Sequence, residues 1–357
     1  MSNASSQPSA PGPGAAPAQG RRPHVPVEAF RPHTYVDGIY SLVNPQCGTA
    51  KNGKHFLKGV IRDATGEVPI RQWTFDEAQL AEISRTGFVW LGGQAQEYNG
   101  QIQVIVDSIS AVEVELEDLA RLLPASKHDI PAMEAELRRI LGSLAHPGMR
   151  ALAEGYLSNE PLMARLRQAP AAVSVHHAWI GGLLEHTLQL MRIAEVTLPL
   201  YPELNRDLVL MGLFLHDLGK TTELTWEKGF NYTAEGNLLG HTVKGAIMLS
   251  AMAARVARES GHRIPPEALL VLQHIVVSHH GSLEFGATKI PSTPEAIFVS
   301  NLDNLDAKTA VALHAAQRSR PIRPGQEFTE RVWSLDTRIY RPDPLTWEGN
   351  GSPAQDG

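Results

Sequence analysis

The sequence predicts a multidomain protein in which an all-β barrel precedes an all-α domain. From residue 33 to residue 116, apolar and polar residues alternate in short runs separated by turn residues, which is typical of strands. After Pro124 the apolar spacing changes to the helical period, and we expect no strand beyond that point. At 357 residues, the chain is long enough to bury two modest cores.

The composition excludes several classes of protein. The single cysteine, Cys47, rules out a disulfide framework and a cysteine-based zinc site, and it indicates a reducing compartment. No apolar stretch is long enough to span a bilayer, so we expect a cytoplasmic protein without a membrane partner. The formal net charge of -6 argues against indiscriminate affinity for nucleic acid but is compatible with a local basic groove.

Both ends of the chain are predicted to be disordered tails. Residues 1–32 and 341–357 are rich in Pro, Gly and polar residues, with too few aliphatic side chains to offset the entropy of ordering the chain. Between the tails we place the barrel at residues 33–116, a helical connector at residues 117–170 and the helical domain at residues 171–340.

The barrel is predicted from five short alternating runs. These runs cover residues 35–42, 55–62, 67–74, 88–96 and 101–114. The turn pairs Asn52-Gly53, Thr65-Gly66 and Asn99-Gly100 fall between runs, where Asn and Gly tolerate the positive φ of tight hairpins. Five short strands in so short a segment predict a small barrel.

A basic turn at residues 51–54 leads into the second run, and an Asp-x-Thr-Gly hairpin follows it. This order resembles OB-folds that bind nucleic acid, and the resemblance implies a groove for a single strand with aromatic rings beneath its bases. The candidate binding residues are Lys51, Lys54, Phe56, Lys58 and Trp73, with Trp90 as a further stacking residue. The alternative interpretation makes Phe56 and Trp90 core residues and the lysines a solvated edge.

The helical domain has an unusual density of histidine beside acid. Five predicted helices each bring His or Asp to an apolar face. The residues concerned are His186, the adjacent His216 and Asp217, His241, His279 with His280, and Asp303 with Asp306 one turn further on. Burying such groups without partners costs several kcal/mol apiece, and convergence on a metal would offset that cost.

Imidazole nitrogen and carboxylate oxygen suit Mn, Fe, Zn, Co or Ni, and the lack of cysteine ligands favours a hydrolytic centre with open coordination positions. The adjacent His216 and Asp217 are useful because Asp can bridge two ions while His holds one, as two-metal hydrolysis requires. We expect Gly219 to stop the helix that delivers this pair.

His186, the His216-Asp217 doublet and Asp303 resemble the defining residues of the HD phosphohydrolase superfamily, and His241, His279 and His280 match the additional ligands of its binuclear members. More narrowly, the motifs resemble the YhaM family of bacterial 3′-to-5′ exoribonucleases, which have an N-terminal OB-fold and a C-terminal HD domain. The motifs concerned are residues 176–178, 182–187, 215–220, 238–241 and 278–281, with residues 284–286. The resemblance runs from about residue 35 to residue 306, in the right domain order.

The resemblance implies a set of site residues. The metal ligands would be His186, His216, Asp217, His241, His279, His280 and Asp303, holding two divalent ions, with Mn first and Fe, Co, Ni or Zn as alternatives. Asp217, His216 and Lys220 would be catalytic, with Lys220 near a nonbridging phosphate oxygen unless it is a surface lysine. His176, His177, Glu185 and Asp306 would support the ligands or contact substrate, although His176 and His177 are equally compatible with a helix start. The choice between Asp303 and Asp306 as ligand stays open.

The expected activity is metal-dependent 3′-to-5′ degradation of single-stranded RNA to 5′-mononucleotides, with DNA not excluded. One alternative is an HD phosphohydrolase of small or cyclic nucleotides, against which the absence of a Gly-Tyr-Pro signature counts. A second is a noncatalytic single-strand-binding adaptor, although a scaffold has no need of buried carboxylates near histidines. The native metal and the presence of a homo-oligomer stay open.

Overall fold

The computed structural model describes residues 24–50, 53–98, 101–173, 178–226, 230–317 and 327–341. Five strands form the first part of the chain, with one short helix before the fourth strand. They are β1 (Tyr35–Thr49), β2 (His55–Asp63), β3 (Gly66–Gln72), α1 (Leu80–Thr86), β4 (Phe88–Tyr98) and β5 (Gln101–Ala111). The five strands confirm the predicted runs, whereas α1 was missed because seven residues show too little periodicity.

The five strands close into a barrel. β1 pairs antiparallel with both β2 and β4, β2 pairs antiparallel with β3, and β5 pairs antiparallel with β4. A parallel pairing between β3 and β5 closes the order β1-β2-β3-β5-β4, which is an OB-fold topology. The interior is filled by apolar side chains that include Val36, Leu57, Ile61, Leu91 and Val104.

Strand β1 continues past its predicted end at residue 42, across an irregularity between Val43 and Gln46. Pro45 has no N–H to donate to the ladder, and Asn44 has a positive φ of 50°. A bulge accommodates both residues and bends the strand, which a short barrel requires.

The chain packs onto the barrel before residue 33, which corrects the predicted extent of the N-terminal tail. Val27 and Phe30 are buried in the barrel core. The backbone N–H of Val27 donates to Asp63 Oδ2 at 2.8 Å, and a ring nitrogen of His24 lies 3.1 Å from the same oxygen. Two buried apolar side chains and a fully buried carboxylate partner therefore offset the entropy of ordering this segment. The remaining tail residues, 1–23 and 342–357, lie outside the described part of the chain.

The second part of the chain is mainly helical. Its helices are α2 (Leu116–Leu122), α3 (Ile130–Gly142), α4 (Pro147–Leu157), α5 (Glu160–Gln168), α6 (Gly182–Thr197), α7 (Arg206–Leu215), α8 (Lys220–Glu223), α9 (Ala234–Ser260), α10 (Pro266–Ser278) and α11 (Pro294–Gln317). Helices α3 to α5 bury Leu137, Leu152 and Leu166 in the same core as Leu184 of α6 and Phe214 of α7. The predicted connector is therefore part of the helical core.

Two small hairpins interrupt the helical pattern, contrary to the expectation of no strand after Pro124. One joins β6 (Leu224–Thr225) to β7 (Asn231–Tyr232), and the other joins β8 (Phe328–Val332) to β9 (Thr337–Tyr340). Strands of two to five residues are too short to show a period-2 pattern in sequence. Within the described ranges, no helix combines the length and apolar character that a membrane span needs.

A small apolar cluster joins the barrel to the helices. Ile39, Phe88 and Val112 pack with Leu122 and Leu123 at the end of α2. Trp90 packs against this cluster and is partly buried. Of the two interpretations of Trp90, packing in a core is therefore the better.

Candidate metal centre

Helices α6 and α7 place His186, His216 and Asp217 in the interior of the helical domain. The buried face of α6 carries Leu184 and Leu188, and His186 beside them is only 1% exposed. Asn205 caps α7 as predicted, since its side chain accepts a hydrogen bond from the N–H of Leu208. His216 and Asp217, which follow the last residue of α7, are 0% and 3% exposed.

Gly219 does not stop α7, which already ends at Leu215. Its φ of -59° and ψ of -23° lie in the right-handed region, so Gly219 also lacks the left-handed conformation with which glycine commonly ends a helix, and the predicted stop is wrong. Instead, a Cβ on Gly219 would lie 2.1 Å from the carbonyl oxygen of His241. The absence of a side chain allows the α7–α8 segment to pack directly against the backbone of α9.

Helix α9 is broken at Gly240, whose φ of 71° and ψ of 164° are not helical. His241 follows the break, and the predicted position of this residue at a helix N-terminus is thereby confirmed. Glu223 at the end of α8 accepts a hydrogen bond from the His241 N–H at 3.0 Å, and its Oε2 lies 2.9 Å from Nδ1 of the ring. Sequence reasoning missed Glu223, because no periodic pattern links it to His241.

Four histidines have Nδ1 hydrogen-bonded on the outer side. His216 Nδ1 lies 2.7 Å from the Leu213 carbonyl oxygen, and His279 Nδ1 lies 2.8 Å from that of Val276. His186 Nδ1 lies 2.8 Å from Asp306 Oδ2, and Glu223 holds His241 in the same way. Because Nδ1 donates outward, each ring presents Nε2 to the interior.

The inward Nε2 atoms meet. Those of His186 and His216 are 3.3 Å apart, and those of His241 and His280 are 3.0 Å apart. The atoms that could bind a metal form two groups, each within 4.8 Å: His186, His216 and Asp217 in one, and His241, His279 and His280 in the other. Nitrogen lone pairs that face one another repel unless a proton or a cation lies between them.

Asp217 lies between the two groups. Its Oδ1 is 3.4 Å from Nε2 of both His241 and His279, and its Oδ2 is 3.4 Å from Nε2 of His216. Asp217 Oδ1 and His279 Nε2 are buried without a hydrogen-bond partner among the described residues. Such orphaned acceptors are costly in a protein interior, and a divalent cation would satisfy both. The donor set therefore fits a metal centre.

The two candidate acids of α11 occupy different sides of His186. Asp303 Oδ1 lies 3.2 Å from the inward Nε2, whereas Asp306 Oδ2 lies 2.8 Å from the outward Nδ1. Asp303 therefore faces the cluster of ligand atoms, and Asp306 holds the ring from behind. The helical pattern could not separate them, since both acids lie on nearly one face of α11.

Asp217 and Lys220 form a buried ion pair within the cluster. Burial raises the pKa of Asp217, but the neighbouring Lys220 and His216 outweigh it and hold the pKa well below its usual range. Burial lowers the pKa of Lys220, yet Asp217, whose Oδ2 lies 2.7 Å from Nζ, raises it overall. With a side chain only 14% exposed, Lys220 is not the surface lysine of the alternative interpretation.

The histidines divide into two protonation types. Burial and the neighbouring His279 lower the pKa of His280 to about 3, and burial also lowers that of His279. Burial alone would lower the pKa of His186, but hydrogen bonds to Asp303 and Asp306 raise it to about 9. His279 and His280 are therefore neutral and ready to bind a cation, whereas a cation at His186 would displace a proton.

The remaining predicted residues lie away from the cluster or outside the described residues. Glu185 Oε2 accepts a hydrogen bond from the Trp179 indole at 2.9 Å, so it is anchored to the loop before α6. His176 and His177 lie outside the described residues, as does Lys51.

Three of the candidate binding residues of the barrel, Phe56, Lys58 and Trp73, lie on its outer surface. Phe56 and Lys58 alternate with the buried Leu57 on β2, and the rings of Phe56 and Trp73 are 6.2 Å apart. Arg71 was not predicted, yet its guanidinium carbon lies 4.9 Å from the Trp73 ring centroid and 5.7 Å from that of Phe56. Lys54 is exposed just before β2. We call the surface formed by Phe56, Lys58, Arg71 and Trp73 the β2–β3 face.

Asp306→Ala is expected to weaken manganese binding by about 10–100-fold, because residues that orient a metal-binding histidine typically contribute that much. The substitution removes the hydrogen bond between Asp306 and His186 Nδ1, which orients the ring. Isothermal titration with manganese measures the effect, and Leu305→Ala, at an exposed neighbouring position, is the matched control. Equal affinities of the two variants would show that Asp306 does not position the ring.

Comparison with known proteins places the chain in a family. The model of the HD domain family matches residues 183–308, which contain the described cluster. The 3'-5' exoribonuclease YhaM of Bacillus subtilis (strain 168) is 32% identical over 312 residues, or 86% of this chain and 95% of the relative. The protein of the same name from Bacillus pumilus (strain SAFR-032) is 33% identical over 300 residues, or 83% and 91%.

Among solved structures, the second OB-fold domain of replication protein A from Methanococcus maripaludis matches 26% of this chain and 98% of its own, with 16% identity and a TM-score of 0.20. At that TM-score the likeness adds nothing to what the strand order of the barrel establishes. The two relatives, by contrast, extend over both the barrel and the helices. This chain therefore belongs to the YhaM family.

Proposed function

We propose that this protein is a divalent-metal-dependent 3′-to-5′ exonuclease that degrades single-stranded RNA to 5′-mononucleotides. The observation that carries the proposal is the convergence of inward Nε2 atoms on Asp217, where two buried acceptors have no partner within the described chain. The relatives that span most of the chain carry the name 3'-5' exoribonuclease, which supports the same reaction.

We assign seven residues as metal ligands: His186, His216, Asp217, His241, His279, His280 and Asp303. Two ions are proposed, because the two oxygens of Asp217 face two separate groups of histidines. Manganese is the first choice for a nitrogen and oxygen donor set without thiolate, and Fe, Co, Ni and Zn suit the same ligands.

When bound, the ions would polarise a phosphoryl oxygen and promote the ionisation of water. Residues of the protein would hold the ions, add positive charge and orient the histidine rings. Asp217 and His216 would hold the ions, and Lys220 holds Asp217 while adding positive charge near the place where the phosphate would develop negative charge. Glu223 and Asp306 hold the rings of His241 and His186 in position.

The β2–β3 face is proposed to bind the single strand. Lys58 and Arg71 are paired across β2 and β3, and like charges in that position repel unless an anion lies between them. Within the described chain, neither residue forms an ion pair with a carboxylate, and Trp73 beside them is 52% exposed. Phosphates would satisfy the cations while bases stack on Phe56 and Trp73, which concentrates RNA without selecting a sequence.

We further propose a division of labour in which the barrel captures the strand and the helical domain cuts it. We propose the cytoplasm as the compartment of this reaction, because single-stranded RNA is abundant there and a lone cysteine stays reduced.

The proposed activity is tested with 5′-labelled single-stranded RNA and DNA of one sequence, incubated with the protein and manganese. A ladder that shortens from the 3′ end, and that disappears with a chelator, supports the exonuclease and shows the preferred sugar. Strands that are bound but stay intact would instead indicate an adaptor. Strands that are neither bound nor cut would direct the search to small nucleotides.

Trp73→Ala is expected to raise KM for single-stranded RNA about tenfold with little change in kcat, because one lost stacking contact weakens capture and not cleavage. Steady-state kinetics on a 5′-labelled oligonucleotide measures both constants. Tyr201→Ala is the matched control, since Tyr201 is an aromatic residue of the helical domain that is also 52% exposed. A fall in kcat alone would contradict the role of the β2–β3 face in capture.

A further inference from the structure

A cavity of about 350 Å³ opens beside the metal centre, between the end of α10 and the first half of α11. Its walls include His280, Ser282, Phe285, Ile297, Asn304 and Lys308. His280 belongs to both places, since its Nε2 lies 3.0 Å from that of His241. The volume falls within the range of about 300–1,000 Å³ that is typical of small-ligand sites. A group held here would adjoin the reacting atoms.

The loop that forms one wall is held in a defined shape. Gly281 and Gly286 have positive φ values of 79° and 93°, and they enclose a short 3₁₀ turn that ends at Phe285. A Cβ on Gly281 would lie 2.9 Å from Ser300 Oγ, so the loop is packed closely against α11. Phe285 is nevertheless 67% exposed. Its ring therefore offers a flat apolar surface at the rim of the cavity.

The cavity is lined by polar groups of the kinds that a nucleoside can pair with. Ser282 Oγ is buried yet has no hydrogen-bond partner among the described residues. A hydroxyl group of a ligand would supply the missing hydrogen bond. Asn301, Asn304 and Lys308 follow one another at intervals of three and four residues, which places them on one face of α11. Lys308 is exposed and in no ion pair within the described ranges. The phenyl ring can stack on a base, and the hydroxyl and the amides can hydrogen-bond with a ribose or a base. The lysine can pair with a phosphate.

We propose that this cavity binds the 3′-terminal nucleoside of the strand, with the base stacked on Phe285 and a ribose hydroxyl at Ser282. The inference rests on the proposed exonuclease, which must place the last phosphodiester at the metal centre. The nucleoside beyond that bond then lies next to the ligands, where His280 connects the centre to the cavity. Room for one nucleoside explains the release of mononucleotides, and stacking on a phenyl ring accepts any base.

The test uses two single-stranded RNAs of one sequence, of which the second has an abasic residue at the 3′ terminus. Wild-type protein with manganese is expected to show a KM about tenfold higher for the abasic strand, because one base-stacking contact is lost. Phe285→Ala is expected to raise KM for the intact strand about tenfold. For this variant, KM for the abasic strand should be no higher than KM for the intact strand. Leu283→Ala is the matched control, since Leu283 lies on the same turn, is 62% exposed and does not line the cavity.

The possible outcomes distinguish a failure of the cavity assignment from a failure of the proposed exonuclease activity. A Phe285→Ala protein that still discriminates tenfold between the two strands would overturn the assignment, because the base would then stack elsewhere. A wild-type protein that shortens both strands with one KM would also overturn it while leaving the exonuclease intact. If the wild-type protein shortens neither strand, the proposed function fails and the cavity assignment fails with it. Inhibition of wild-type cleavage by 5′-AMP that is relieved in Phe285→Ala but not in Leu283→Ala would support the assignment independently.

Discussion

Asp217→Asn is expected to reduce RNA cleavage by about 10³-fold or more. Both oxygens of Asp217 face inward nitrogens, and an amide would replace one of these oxygens with a donor group. The change also removes the negative charge that balances Lys220, which lies 2.7 Å away in a buried setting. Metal activation provides several kcal/mol of transition-state stabilisation, and each loss of about 1.4 kcal/mol reduces the rate tenfold.

The measurement combines single-turnover cleavage of 5′-labelled RNA with elemental analysis of bound metal. Asn has the same shape as Asp, so the fold should persist, and the thermal unfolding curve checks this point. Glu267→Gln removes one charge from an exposed position on α10 and is expected to behave as wild type. If Asp217→Asn keeps both its metal content and activity within tenfold of wild type, the carboxylate does not hold the ions.

Gly219→Ala is expected to reduce cleavage by about 10²-fold, although the substitution adds only one methyl group. The backbone of Gly219 is in the right-handed region, so Ala introduces no torsional strain. The new Cβ would lie 2.1 Å from the His241 carbonyl oxygen and 2.9 Å from its Cα, so α9 must move. The movement displaces His241 from Glu223 and His280, and a shift of about 1 Å at a reacting centre costs about 10²-fold in rate.

Gly142→Ala provides the control for Gly219→Ala. Gly142 is the last residue of α3, and a Cβ there would have no neighbour within 4 Å among the described residues. Replacing a helical Gly by Ala stabilises a helix by roughly 0.5–1 kcal/mol, so this variant should unfold at or above the wild-type temperature. Manganese titration and kcat are measured for both variants. Equal metal affinity in the two would mean that the approach of Gly219 to α9 does not position His241.

The sequence determined the elements and most of the chemistry of this protein. Alternation and turn pairs identified the five strands, because a strand with one buried face repeats every two residues. Helical spacing identified the buried faces on which His186, His216 and His279 lie, since an apolar stripe shows which side of a helix turns inward. The His and Asp motifs resemble those of the HD superfamily in the sequence alone.

The tertiary structure decided which atoms meet. Asp303 and Asp306 have nearly the same position in the helical pattern, and only packing against α6 places one at Nε2 and the other at Nδ1 of His186. Glu223 and Arg71 were missed for the same reason, since their partners come from other elements of the fold. Periodicity reports which face of an element is buried, because burial repeats along the chain. Contacts between separate elements depend on how those elements pack, and they leave no regular spacing in the sequence.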